Sequence, residues 1–78
     1  MIKWSVAFIP QHRRRLGEVI RAKRTGARFS QEKLAEKAEI HPKYLSEVER
    51  GNKTISVDAL LRVAKALKST VEELVRGF

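Results

Sequence analysis

Gln31 to Arg50, QEKLAEKAEIHPKYLSEVER, is the stretch on which the fold turns. Leu34, Ala35 and Ala38 fall at i, i+1 and i+4, the spacing of a helix with one apolar stripe, and Ser30 just before them offers a hydroxyl to cap its first turn. Ile40-His41-Pro42 interrupts the pattern. Proline disfavours helical geometry at the residue before it, yet it is well tolerated as the first residue of a new helix, so one short helix stops here and a second starts at Pro42. Leu45 and Val48 form the buried stripe of that second helix, and Gly51 followed by Asn52 supplies a left-handed stop. The segment therefore predicts two short helices joined by about three residues, a spacing that brings their apolar stripes onto a shared core.

Outward from this pair the same reading continues. Leu16, Val19 and Ile20 stand at helical spacing among long polar side chains, which predicts a helix over 11–25 with Gly26 as its stop. Ser56 caps a helix through VDALLRVAKAL, with Asp58 in its first turn and Leu60, Leu61, Val63, Ala64 and Leu67 as a wide apolar face. Thr70-Val71-Glu72-Glu73 has the form of a capping box opening a short fifth helix that carries Val71, Leu74 and Val75. Ile2, Trp4, Val6 and Phe8 alternate with Lys3, Ser5 and Ala7 instead, the period of a strand, so residues 1–10 read as an extended N-terminal arm and 11–78 as one helical domain.

Composition narrows the function classes. Seventy-eight residues hold one small domain, with 42% hydrophobic and 33% charged side chains, enough apolar surface to fold. There is no cysteine, which removes disulfides, thiolate metal sites and thiol nucleophiles together. Two histidines without paired carboxylates at ligand spacing make no metal site, and no nucleophile with a base or Gly-rich phosphate loop can be nominated. An enzyme, a metal and a cofactor are all unexpected. No apolar run approaches a membrane span, and the first ten residues lack the form of a signal peptide, which leads us to expect a cytoplasmic protein with no membrane partner.

Lys plus Arg outnumber Asp plus Glu by 17 to 9, a formal +8. The excess is uneven. Lys3, Arg13, Arg14, Arg15, Arg21, Lys23, Arg24 and Arg28 face only Glu18 in the first 28 residues, which therefore carry seven of the eight excess charges. Such a balance implies an anionic partner, with nucleic acid foremost.

The run RFSQEKLAEKAEIHPKYLSEVERGNKTISVDALLRVAKAL resembles the helix-turn-helix of the phage-repressor-like Cro/CI or XRE family of DNA-binding proteins. The resemblance covers roughly Leu16 to Leu74, with the helix-turn-helix itself at 31–50. It implies an all-α, five-helix lambda-repressor-like domain that binds double-stranded DNA as a homodimer and regulates transcription. GNKTISVDALLRVAKAL looks most like the restriction-modification controller subgroup. Glu39 departs from the pattern, because the family usually has Gly in that turn, and a non-Gly residue held left-handed costs about 1–2 kcal/mol.

A helix laid in the major groove reads base edges with its N-terminal half. With Leu45 and Val48 buried, the reading face of the helix over 42–49 holds Pro42, Lys43, Tyr44, Ser46 and Glu47, with Arg50 at its end. Lys43 can donate to guanine, Glu47 can accept from cytosine N4, and Tyr44 or the Pro42 ring can touch a thymine methyl. Gln31 resembles the family residue that braces a phosphate or a neighbouring reading residue. Ser30, Arg50, Asn52 and Lys53 sit at helix ends and loops suited to phosphate oxygens, and Arg14, within Arg13-Arg14-Arg15, either tracks phosphates or simply solvates the first helix. His41 reads as a helix cap. The resemblance places dimerisation near the fifth helix, with Val71, Leu74, Val75 and Phe78 as candidates beside the alternative that they close the monomer core. Trp4 is a further candidate, through pairing of two N-terminal strands. Two other readings use that apolar N-terminus: an antitoxin with a toxin protein as partner, and a module meeting an acidic protein or anionic lipid through Trp4 and the basic first helix.

Overall fold

The computed structural model describes residues 8–76, with side chains from Gln11 onward. Five helices follow one another: α1 Phe8–Gly26, α2 Gln31–Ala38, α3 Pro42–Glu49, α4 Val57–Ala66 and α5 Val71–Val75. No strand occurs among the described residues. The all-α, five-helix expectation stands, whereas the extended arm does not reach Pro10. Helix α1 starts three residues earlier than the apolar spacing predicts and takes Phe8, Ile9 and Pro10 as its first turn. A proline fits there because a first-turn N–H has no intrahelical partner to lose. Ile2, Trp4 and Val6 lie outside the described residues. The longer helix also moves Arg13 to Arg15 beyond the first turn, where the positive helix end no longer opposes them appreciably.

The N-terminal caps form where hydroxyls and an imidazole were expected to act. Ser30 Oγ accepts from Lys33 N at 3.0 Å, His41 Nδ1 from Lys43 N at 3.0 Å and Ser56 Oγ from Ala59 N at 3.1 Å. Thr70 and Glu73 close a reciprocal capping box, Glu73 N donating to Thr70 Oγ1 and Thr70 N to Glu73 Oε1.

The C-terminal ends of α1 to α4 share one device. In α1 the N–H of Phe29 reaches Arg24 O at 3.0 Å and that of Arg28 reaches Thr25 O at 3.0 Å, the paired bonds of a Schellman motif. Ile40 to Ala35 and Glu39 to Glu36 repeat it after α2, Asn52 to Glu47 and Gly51 to Val48 after α3, and Ser69 to Ala64 and Lys68 to Lys65 after α4. The left-handed residue is glycine only at Gly51 (φ 78°); elsewhere it is Arg28 (64°), Glu39 (58°) and Lys68 (55°). Gly26, expected as the stop of α1, lies inside that helix. The turn after α2 keeps its left-handed geometry with Glu39 in the glycine position.

Ile20, Leu34, Ala35, Ala38, Leu45, Val48, Ile55, Ala59 and Val63 form one buried cluster, with Phe29, Ile40, Tyr44 and Leu67 packed at its edge. Helix α2 packs on both α3 and α4, α1 lies against α3, and α5 bridges α1 and α4. Gly17 sets the α1–α3 distance: a Cβ there would stand 2.3 Å from Val48 O and 2.6 Å from Glu49 O. Leu61, expected in the apolar face of α4, is 53% exposed instead, and Val57 at the start of that helix is 72% exposed. At about 100° per residue the core side of α4 centres on Ala59 and Val63 and leaves Val57 and Leu61 on an outer stripe.

Candidate nucleic-acid interface

Burial of Leu45 and Val48 turns the opposite face of α3 outward. Pro42 and Lys43 are exposed, and Tyr44, Ser46 and Glu47 half-buried. With His41 and Lys53, three of these side chains, Lys43, Tyr44 and Glu47, line a concavity of about 430 Å³ beside the N-terminal half of α3. Donor, acceptor and ring edge are thus brought together at the end of the helix that a major groove admits most readily. Tyr44 is only partly free for such work. Its hydroxyl donates to Thr54 O at 3.3 Å and accepts from Ser56 N at 2.9 Å, which ties α3 to the loop before α4 and leaves the ring as the part able to touch a thymine methyl.

Glu47 is held as well. Its Oε2 lies 3.2 Å from Arg50 Nη2, and its Oε1 accepts from Asn52 Nδ2 at 3.2 Å. A residue expected to read a base therefore also orients two residues expected to meet phosphates. Lys53 shares the concavity with Lys43. Arg14 joins the same region from α1, because its Cα would stand 2.9 Å from a Cβ at Gly51. That approach, together with the left-handed φ, is why glycine is required at 51 while Arg28, Glu39 and Lys68 can occupy equivalent positions elsewhere.

At the start of α2, Ser30 Oγ is engaged as a cap, and the following backbone N–H groups face outward as the first turn of any helix leaves them. Gln31 Nε2 donates to Glu49 Oε1 at 2.9 Å, so the side chain braces α3 from within.

The most heavily built interaction is one that the sequence pattern does not reveal. Arg24 Nε and Nη2 grip the two oxygens of Glu49 at 2.7 and 3.1 Å, and Arg24 Nη1 donates to Phe29 O at 2.8 Å. Both side chains are buried, 11% and 2% exposed. An arginine in a basic helix and a glutamate at the end of a short one carry no mark that they will meet 25 residues apart. Their effect on the interface is mechanical: α3 is anchored through its last residue to α1, and through Gln31 to the first residue of α2.

The dimerisation candidates separate. Leu74 is fully buried within the protomer and cannot form an interface. Val71 and Val75 are half-buried on α5. Trp4 and Phe78 lie outside the described residues. The exposed apolar side chains that the sequence reading did not assign to an interface are Val57 and Leu61. Among the described residues no group of His, Cys, Asp or Glu could hold a metal, and no helix is long and apolar enough to cross a membrane.

The family model described as Helix-turn-helix matches residues 20–74. An uncharacterized HTH-type transcriptional regulator of Mycobacterium tuberculosis is 43% identical over 58 residues, 74% of this chain and 41% of its own length. The chain thus spans about two fifths of that relative. The crystal structure of the restriction-modification controller protein C.AhdI from Aeromonas hydrophila superposes with a TM-score of 0.78 at 34% identity, covering 80% of this chain and 94% of that one. The clp gene regulator ClgR from Corynebacterium glutamicum gives the same TM-score at 36% identity, over 81% of this chain and 67% of ClgR.

Proposed function

The chain belongs to the helix-turn-helix family, and from that premise we propose that it binds double-stranded DNA sequence-specifically, as a homodimer, and regulates transcription in the manner of a repressor or controller protein. The observation that carries this reading is the surface around α3. Lys43 and Glu47 share one outward concavity with Lys53, while Arg50, Asn52 and Arg14 gather beside it and Ser30 and Gln31 open the preceding helix. Groups suited to base edges and groups suited to phosphates thus come close together, which supports the reading. The likeness to a restriction-modification controller over nearly the whole of that protein supports the controller variant of the reading.

The two functions of the surface fall to different residues. Lys43, with Pro42, the Tyr44 ring, Ser46 and Glu47, discriminates bases; Ser30, Gln31, Arg50, Asn52, Lys53 and Arg14 position the duplex. The dimer forms through the outer stripe of α4, Val57 and Leu61, together with the half-buried Val71 and Val75 of α5. Two α3 helices then address half-sites about 34 Å apart.

Selection of binding sites from random duplexes, followed by mobility shifts with competitor DNA, tests the reading. An enriched palindromic or pseudo-palindromic sequence is expected, with Lys43→Ala changing which bases are selected and Arg14→Ala weakening all sequences alike. Failure to enrich any sequence would sink it.

A further inference from the structure

A second concavity lies away from the reading face of α3. Lys37 and Glu39 at the end of α2, with Arg62, Lys65, Ala66 and Lys68 along and beyond α4, enclose about 450 Å³. Four cations face one carboxylate. Among the described residues none of the four makes an ion pair with Glu39 or with any other acid, unlike Lys33, which pairs with Glu36, or Arg50, which pairs with Glu47. Two are held in place by other means: Arg62 Nε donates to Ala38 O at 2.8 Å, and Lys37 Nζ stands 5.5 Å over the Phe29 ring. Both backbone rims, Glu39 and Lys68, are left-handed. Lys37 and Lys65 lie in the last turns of their helices, where the negative helix end favours a cation, but Lys68 lies beyond α4 and Arg62 within it.

We infer that this cleft grips the phosphate backbone of duplex DNA flanking the sequence that α3 reads. The inference rests on the reading of the chain as a DNA-binding protein. The lining decides between partners. Protein interfaces are built on apolar and aromatic anchors and are depleted in lysine, whereas protein–DNA interfaces are polar and strongly cationic. Among the described residues Ala66 is the only apolar one in the lining, and no aromatic residue lines it to stack a base. Such a surface takes phosphates without regard to sequence. The two concavities share no described residue, and Glu39 of one and His41 of the other are separated in sequence only by Ile40.

The test compares the wild type with the double variant Lys65→Gln/Lys68→Gln on two duplexes, the selected site alone and the same site extended by random flanks. A charge-matched control, Arg21→Gln/Lys33→Gln, removes two cations elsewhere, and thermal melting checks that each variant folds. On the extended duplex the cleft variant should bind more weakly, with a log–log salt slope shallower by about 1.8, since each neutralised phosphate contributes about 0.9. On the bare site it should match the wild type, and its order of sequence preference should be unchanged. Equal slopes on the extended duplex overturn the inference, as does an equal loss in the charge-matched control. A variant that fails only to bridge two separate duplexes overturns the flanking assignment. If the wild type binds no duplex selectively, the DNA-binding reading itself fails, a result distinct from a wild type that binds while the cleft variant matches it.

Discussion

A single methyl group separates glycine from alanine, and at position 17 that methyl would overlap the last carbonyls of α3. Because those atoms are backbone, neither side can yield without shifting a helix. Gly17→Ala is expected to destabilise the domain by about 1–3 kcal/mol, read as a lowered thermal midpoint. Position 39 presents the opposite case. Glu39 holds φ 58° with its side chain exposed, so glycine would relieve the left-handed strain at the cost of added freedom in the unfolded chain. Glu39→Gly should raise stability by up to about 1 kcal/mol, or roughly 4–8 °C in a domain of this size. Gly17 falls among helix-compatible residues in the sequence and looks like any weak helical position; only the crossing of α1 over α3 exposes its role. Glu39, by contrast, was identifiable as the residue standing where a related turn carries glycine.

Among the elements, what could be read from the sequence is what local hydrogen bonding decides. Ser30, His41, Ser56 and Thr70 cap the helices that follow them, since each partner lies two or three residues away and no tertiary context is needed. The stop of α1 was misplaced because Gly26 draws attention while Arg28 takes the left-handed position. Its start was misplaced because Pro10 reads as a boundary although a first turn tolerates it. The capping box gives a pH signature. The hydrogen bond from Thr70 N lowers the Glu73 carboxyl below its ordinary pKa of 4.5, helped by Lys23 and Arg76. A group whose folded pKa is depressed adds stability above its unfolded pKa and loses it as pH falls through the folded value. NMR titration should therefore find Glu73 below the ordinary glutamate range, and Thr70→Ala, which keeps the backbone N–H and removes only the weaker hydroxyl contact, should move it upward only slightly. At the junction of α3 and α4, Tyr44→Phe removes both hydroxyl bonds and should cost about 0.5–1.5 kcal/mol per bond by denaturant unfolding.

Over the whole molecule, the formal +8 divides into parts with different fates. Arg24 is neutralised by a buried carboxylate and contributes nothing to an outer field, Arg14 stands beside the loop after α3, and Lys37, Arg62, Lys65 and Lys68 gather in a cleft formed by two helix ends. The one-dimensional charge count placed nearly all the excess before residue 29 and could not see that last cluster, because its members are scattered over 32 positions and become neighbours only when α2 meets α4. The dimer surface proposed above escapes the sequence for a related reason. Leu61 and Leu74 are both leucines at helical spacing, and only packing shows that one is exposed and the other enclosed. If the proposed dimer forms, Leu61→Glu should convert it into a folded monomer by sedimentation and weaken binding to a full palindrome far more than to a half-site.

The Arg24–Glu49 pair closes a loop of 25 residues that contains both α2 and α3. A desolvated ion pair stabilises only once its surroundings have shut out water, so it contributes after the helices have docked and not during their approach. In a kinetic experiment its loss should show chiefly on the unfolding limb of the chevron, with the refolding rate of Glu49→Gln close to that of the parent. The pair thus governs how long α3 stays on its support once seated, and the lifetime of the docked helix sets the upper bound on how long this surface could hold the duplex proposed above.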